Sequence, residues 1–346
     1  MNGASMKVLV PNQHKIMNMF KQFTAVTAAL TMCVSAQEKD NNPDNLISGV
    51  MTTHEGKTIS GLFKGANKQA VFYKPTARAV NLIAERRTQV QSLYLFAPKD
   101  YKAALAAFED RKYKEAAEKF SACKERYKAF KVLPNNYSTL SGYYMLESYR
   151  KAGDLDKLIQ EKGNFDKVQL TRPDFKTQVE VYDLWDAVRT KEWKRLHNIC
   201  KDWDGKRVPI GIRSQIEYCH GMAYEGMGET SNALNAYAAA MTADFTKSDT
   251  IVRQAALNSL RIFRNNPDVK TTMRLWDGDK DKDEGEEVKT SDGFGMLVEA
   301  NALARLYNKA NLGAGVALSA ADKKFLDYTP KKVLDKEKEA KEMEDK

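Results

Sequence analysis

From Ala97 to Trp276 apolar residues recur three and four apart in paired runs separated by short polar turns, the spacing of helices that bury one face. Ala104 and Ala107 precede Tyr113, Ala116, Phe120 and Cys123; Leu146 and Tyr149 precede Leu155 and Leu158; Leu184 and Ala187 precede Trp193, Leu196 and Cys200. Gly221 and Tyr224 precede Ala233, Tyr237 and Ala240, and Leu257 and Leu260 precede Val269, Met273 and Trp276. Gly153-Asp154, Gly228-Glu229 and Asn265-Asn266-Pro267 supply turn chemistry between runs, and Pro267 suits the first residue of a helix. Past these pairs, Gly295 to Lys309 predicts one more helix, and Ser319 caps a short one reaching Leu326.

Upstream the period changes. Thr58–Phe63, Ala70–Tyr73, Val80–Ile83 and Val90–Phe96 are rich in β-branched and aromatic residues, with a hairpin turn predicted at Lys64-Gly-Ala-Asn-Lys68. These runs predict a small β domain of four or five strands. The chain divides into a leader 1–36, a linker 37–44, a β domain 45–96, a helical region 97–328 with an acidic loop 277–292, and a charged tail 329–346. The tail from Lys331 has six basic and six acidic residues, the composition of an exposed helix or a disordered segment.

Counted from Ser214, the residues Gly221, Tyr224, Gly228, Ala233, Tyr237 and Ala240 fall on the marks of a tetratricopeptide repeat, a unit of about 34 residues. Units counted from Ala97, Thr139, Thr177 and Thr250 are similar but degenerate, at spacings of 42, 38, 37 and 36 residues. The resemblance implies a mainly α fold, an α-solenoid of about five helical hairpins behind the small β domain. The phrase Gly56-Lys-Thr-Ile-Ser-Gly61 and its strands resemble the SH3-like or Sm-like barrels that precede helical repeats in some bacterial envelope proteins. A single hairpin cannot bury its apolar face, so such units stack, and the stack implies a surface for protein partners. That surface is the concave face, lined by first-helix positions. They read Tyr101, Leu105 and Phe108; Tyr143, Glu147, Arg150 and Lys151; Val181, Trp185 and Arg189; and Gln215, Tyr218, Met222 and Glu225. Aromatic and Arg side chains are the usual interface anchors; the apolar members among them serve equally well as core.

Lys15 and Lys21 precede the apolar run Phe23–Val34, which ends at Val34-Ser35-Ala36 before polar residues, the pattern of a secretory signal peptide cleaved after Ala36. The run falls short of the roughly 20 residues a membrane span needs. A lipid anchor on Cys33 would require a smaller residue than Met32 before the cysteine. Loss of the leader removes three lysines and takes the net charge from +9 to +6, with basic and acidic residues interspersed. Export and interspersed charge argue against nucleic acid as a partner, and place the mature protein in the periplasm or outside the cell.

Chemistry-bearing motifs fail on their own terms. Gly56-Lys57-Thr58 ends like a phosphate loop, but Met51 stands where a glycine is needed and a strand follows. Asp277–Glu287 alternates carboxylates like a calcium loop, yet Lys282 and Val288 occupy the positions that want Gly and Glu. His197, Cys200, Cys219 and His220 have zinc-type donors, but Cys219 and His220 are adjacent on one helix and point about 100° apart. The default for Cys200 and Cys219 is two buried thiols packed between helices, and a disulfide between them is the alternative in an oxidising compartment, with Cys123 left free. No metal, cofactor or catalytic constellation is predicted. The expected function is an exported scaffold for protein–protein interactions; a glycan-binding protein using Trp185, and an enzyme with a site assembled from distant residues, are the alternatives.

Overall fold

A computed structural model describes residues 45–244, 249–278, 284–313 and 315–344. The leader with Cys33 and Ala36, the linker 37–44 and the middle of the acidic loop lie outside the described residues. Five strands come first: β1 (Ile47–Thr53), β2 (Thr58–Ala66), β3 (Ala70–Lys74), β4 (Ile83–Arg86) and β5 (Val90–Leu95). They form one antiparallel sheet in the order β4-β3-β2-β1-β5. Buried and half-buried residues alternate strictly along β1, as a pleated strand covered on one face demands. The register sets Ile47 opposite Phe63 and Phe63 opposite Tyr73, so their side chains share the inner face. The run Val80–Ile83 is not the fourth strand. The turn after Pro75, closed by the Ala79 amide on the Thr76 carbonyl, delays pairing until Ile83 meets Tyr73, and Val80 to Leu82 remain outside the ladder.

The rest is helical: α1 (Lys99–Glu109), α2 (Tyr113–Arg126), α3 (Tyr137–Ala152), α4 (Leu155–Gly163), α5 (Pro173–Thr190), α6 (Trp193–Asp202), α7 (Ile210–Gly226), α8 (Thr230–Ala243), α9 (Asp249–Asn265) and α10 (Pro267–Gly278). After them come α11 (Glu286–Lys289), α12 (Phe294–Lys309), α13 (Ala320–Lys323) and the exposed α14 (Lys331–Glu344). Local chemistry sets several starts. Asn136 caps α3 by accepting the Thr139 amide at 2.8 Å while its own amide group donates to the Leu133 carbonyl at 2.6 Å. Asn266 caps α10, whose first residue is Pro267, by accepting the Asp268 amide at 2.8 Å. Ser319 caps α13 by accepting the Asp322 amide at 3.1 Å.

Neighbouring helices pack in chain order from α1 to α10, and the first members of the pairs also meet each other: α1 with α3, α3 with α5, α5 with α7, and α7 with α9. Three cores follow in sequence. The first joins the inner sheet face to α1 and α2 through Phe63, Tyr101, Phe120 and Phe130. The sheet is therefore not a free-standing module: its buried face is completed by the first helical pair. Gly65 of β2 marks the closest approach, since a Cβ there would lie 2.8 Å from that of Ala129. The second core runs from α3 to α9, and the third joins α9 and α10 to α12 and the segment around Phe325 and Tyr328. Leu140, Tyr144 and Tyr149 touch the first two cores, and Leu234 and Met241 the last two.

The α7/α8 pair packs closely through Ala223, Ala233 and Ala240, which have no exposed surface. Gly221 faces the Tyr237 ring so closely that an added Cβ would sit 2.5 Å from two ring carbons. A rigid ring between helices cannot yield as a flexible side chain would. Gly221→Ala is expected to destabilise the fold by about 1–3 kcal/mol in urea unfolding, whereas Gly163→Ala, with open space around its added carbon, should leave the midpoint unchanged or raise it.

Candidate functional site

A stripe of polar and aromatic side chains crosses the first helices of successive pairs. On α3, Glu147 takes a two-pronged contact from Arg150, with Nε at 2.9 Å and Nη2 at 2.8 Å. From α5 the Tyr182 hydroxyl donates to the same carboxylate at 2.7 Å, and the Arg150 guanidinium lies 5.6 Å from the Trp185 ring. Trp185 in turn donates its indole N–H to Gln215 of α7 at 3.3 Å. Gln178 and Gln215 exchange amide hydrogen bonds at 3.0 and 2.9 Å across α5 and α7. Trp185 and Tyr218 rings are 6.1 Å apart, and Tyr218 and Tyr237 rings 5.8 Å. The stripe ends at Glu225 of α7, which accepts from Tyr237 at 2.9 Å and from both Arg261 nitrogens on α9 at 2.5 and 2.9 Å. In the other direction Tyr143 stacks on Phe175 at 4.1 Å, and Tyr101 lies 4.8 Å from Tyr137.

Burial decides what this stripe can do. Tyr101, Tyr143, Glu147, Arg150, Trp185 and Tyr218, six of the positions assigned from sequence to the concave face, are each less than a tenth exposed. Removal from water alone would raise the Glu147 carboxyl, but the Arg150 charge and the hydrogen bonds from Arg150 and Tyr182 outweigh it and hold the group below the ordinary carboxylate range. Glu147 is thus an ionised, fully partnered anion inside the protein. The hydroxyl of Tyr182, buried against the same carboxylate, is pushed well above its usual value and stays protonated. Met222 and Glu225 are half-buried. Arg189 is on the surface and off the stripe, held by Asp186 at 2.8 Å and Asp156 at 3.3 Å.

Residues that complete the stripe but are not assigned to it from sequence are Gln178, Tyr182, Arg261 and Asn258, whose amide donates to the Tyr218 and Tyr237 hydroxyls at 3.4 and 3.3 Å. Gln178 and Gln215 each stand second in their units, a pair of polar residues on otherwise apolar faces, and that coincidence was the readable signal. Tyr182 and Arg261 carry no such mark, because their roles depend on partners 35 and 36 residues away.

The cysteines Cys123, Cys200 and Cys219 are free and buried. Burial pushes the Cys123 thiol up to about 12 and raises Cys200 and Cys219 as well, so all three are protonated and inert as nucleophiles at neutral pH. The Cys200 thiol is directed at the Ile216 carbonyl at 3.7 Å. His197 and His220 meet across α6 and α7, with Nδ1 of one 3.0 Å from Nε2 of the other, and Tyr224 stacks on His220 at 4.3 Å. Among the described residues no group of three or more His, Cys, Asp or Glu side chains is placed to hold a metal ion, and no helix is long and apolar enough to cross a membrane. Of the acidic loop, Asp277 accepts the Tyr328 hydroxyl at 3.1 Å. Comparison of the chain with known protein families, with curated proteins and with solved structures finds no match.

Two outcomes follow from these contacts. Tyr182→Phe removes one donor from a buried carboxylate and should lower stability by about 1–3 kcal/mol in denaturant unfolding. His220 is held below its ordinary value by burial and then by His197, with Lys201 adding to the effect and Asp204 and Glu229 opposing it. Its folded form resists protonation that the unfolded chain accepts, so its contribution is complete above about pH 6.5 and is lost as pH falls through the lower folded value. Thermal melts across pH 8 to about 5 should show this loss, and His220→Gln should flatten it.

Proposed function

We propose that this chain is an exported scaffold for protein–protein interactions in the cell envelope, its helical pairs stacked as a solenoid of the kind the tetratricopeptide resemblance implies. The observation that supports this reading most directly is that each first helix packs on its own partner and on the first helix of the next pair, the nearest-neighbour arrangement of stacked repeats. A ligand of such a stack is a protein or peptide, and no cofactor enters the proposal.

Burial of the stripe shifts where the partner would be met. Tyr143, Trp185 and Tyr218 hold the helices together, and recognition is assigned to the more solvent-facing side chains Lys151, Arg189, Met222 and Glu225, of which Arg189 and Glu225 would meet a partner with the ion pairs they already make. Lys151 has its ammonium 5.6 Å from the Phe108 ring and 5.5 Å from Tyr113, where the first two pairs meet. Glycan binding through Trp185 is less well supported, because that ring is 6% exposed and its N–H is already engaged by Gln215.

Cross-linking of the protein in its native cells, compared with a Lys151→Glu, Arg189→Glu variant of unchanged melting temperature, tests this reading. The expected outcome is a defined protein partner whose recovery falls about ten-fold in the variant, the effect of losing roughly 1.4 kcal/mol at an interface. Equal recovery would move the binding surface elsewhere, and absence of any protein partner would return the glycan reading to the front. N-terminal sequencing of the mature protein should begin at Gln37; an intact leader would contradict export.

A further inference from the structure

Among the described residues the edge strand β4 has one strand neighbour, β3, and no strand pairs with its other side. The chain around it is unusually apolar for an exposed segment: Val80 is 89% exposed and Leu82 and Ile83 are 41% exposed. The opposite edge differs. There the Tyr137 hydroxyl of α3 donates to the Leu95 carbonyl at 2.9 Å, and Leu93 and Leu95 pack against the first core. Edges that must stay unpaired are guarded by charge on the strand itself and by an absence of exposed apolar groups. β4 carries the charges Glu85 and Arg86, yet exposed apolar groups stand beside them, Ile83 on the strand and Val80 and Leu82 just before it.

Charge around this edge is of one sign. Residues 45–96 carry seven Lys or Arg against two Asp or Glu, a net of +5. Lys68, Arg78 and Arg86 are exposed around β4, with Arg87 half-buried just beyond the strand, and β4's own carboxylate is Glu85. Arg87 reaches back to the Asn67 carbonyl at 3.4 Å, tying the end of β4 to the β2–β3 hairpin. A second copy of the same edge would bring two such charges together, which argues against self-pairing.

We propose that β4 is a docking edge for an acidic, extended peptide segment, which adds to the sheet as a sixth strand. Backbone hydrogen bonds to the free side of β4 give the affinity, as in strand addition generally. Alternate apolar side chains of the peptide lie on the face of Ile83, and the carboxylates between them lie on the opposite face, toward Arg86 and, from the turn before the strand, Arg78. The site is separate from the rim of the helical pairs, so one molecule can hold two partners at once.

Selection from a library of random peptides about ten residues long, enough for one strand, on the whole mature protein tests this directly. Enriched sequences should be rich in Asp and Glu with apolar residues at alternate positions. The best of them should lose about ten-fold in affinity to an Arg78→Glu, Arg86→Glu variant and weaken as salt rises. Hydrogen exchange should slow at the amides of β4 when the peptide binds, and a proline at the centre of the peptide should abolish binding. Enrichment of basic or charge-indifferent peptides, binding that survives the central proline, or no slowing at β4 would overturn the proposal. So would no enrichment, a dimer that the Arg86→Glu change dissociates, or displacement of the peptide by a single-stranded oligonucleotide. The Lys151→Glu, Arg189→Glu variant should bind the peptide unchanged, which separates this edge from the helical rim.

Discussion

A single buried carboxylate anchors the packing of the helical pairs. Glu147 is surrounded by Arg150 of its own helix and Tyr182 of the next first helix, with Trp185 beneath the guanidinium. Placing an ion pair in a protein interior costs several kcal/mol in lost hydration, recovered only when geometry and hydrogen bonding are complete. The pair lies within α3, so the rotation of α3 against α5 is set by what α5 brings to it: the Tyr182 hydroxyl on the Glu147 carboxylate and the Trp185 ring against the Arg150 guanidinium. The amide exchange between Gln178 and Gln215 repeats the device between α5 and α7, and Glu225 with Arg261 repeats it between α7 and α9. Apolar packing gives these helices adhesion; the polar stripe gives them register.

The two ends of the described chain are held differently. The sheet lends its inner face to the first helical pair, so Phe63 and Tyr101 belong to one core. At the far end, Trp276 and Tyr328 pack edge to face at 5.7 Å, and Arg264 pairs with the buried Asp322. Residues on α12 and beyond cover the apolar side of α9 and α10 that no further pair covers. In the solenoid proposed above, a run of stacked pairs would need a cover at each terminus, and the sheet at one end and α12 with its looped segment at the other would supply it.

The helices were legible because three- and four-residue spacing survives in every pair, and turn residues such as Gly153, Gly228 and Pro267 stand between them. Propensity marks a strand at Val80 that the structure begins at Ile83, because β-propensity records a residue's fit to a half-buried surface, and the pairing register after Pro75 is set by a turn. Site residues were legible by position and not by role. Repeat position marks Tyr143, Trp185 and Tyr218 as surface anchors, and the structure buries them, since a first-helix face lines a groove only where the next helix does not close over it. Nothing local in the sequence reveals that closure; it depends on the separation of α3, α5 and α7.

The most direct test of this account is a double-mutant cycle on the Glu147 and Arg150 pair. Glu147→Gln and Arg150→Met are each expected to cost about 3–5 kcal/mol in denaturant unfolding, because each strands a buried charge, while the double variant should recover most of that loss. If each single change instead costs under about 1 kcal/mol, the value of an exposed pair, or if the double variant loses the sum of both, Glu147 does not anchor the helical pairs and the first helices are registered by apolar packing alone.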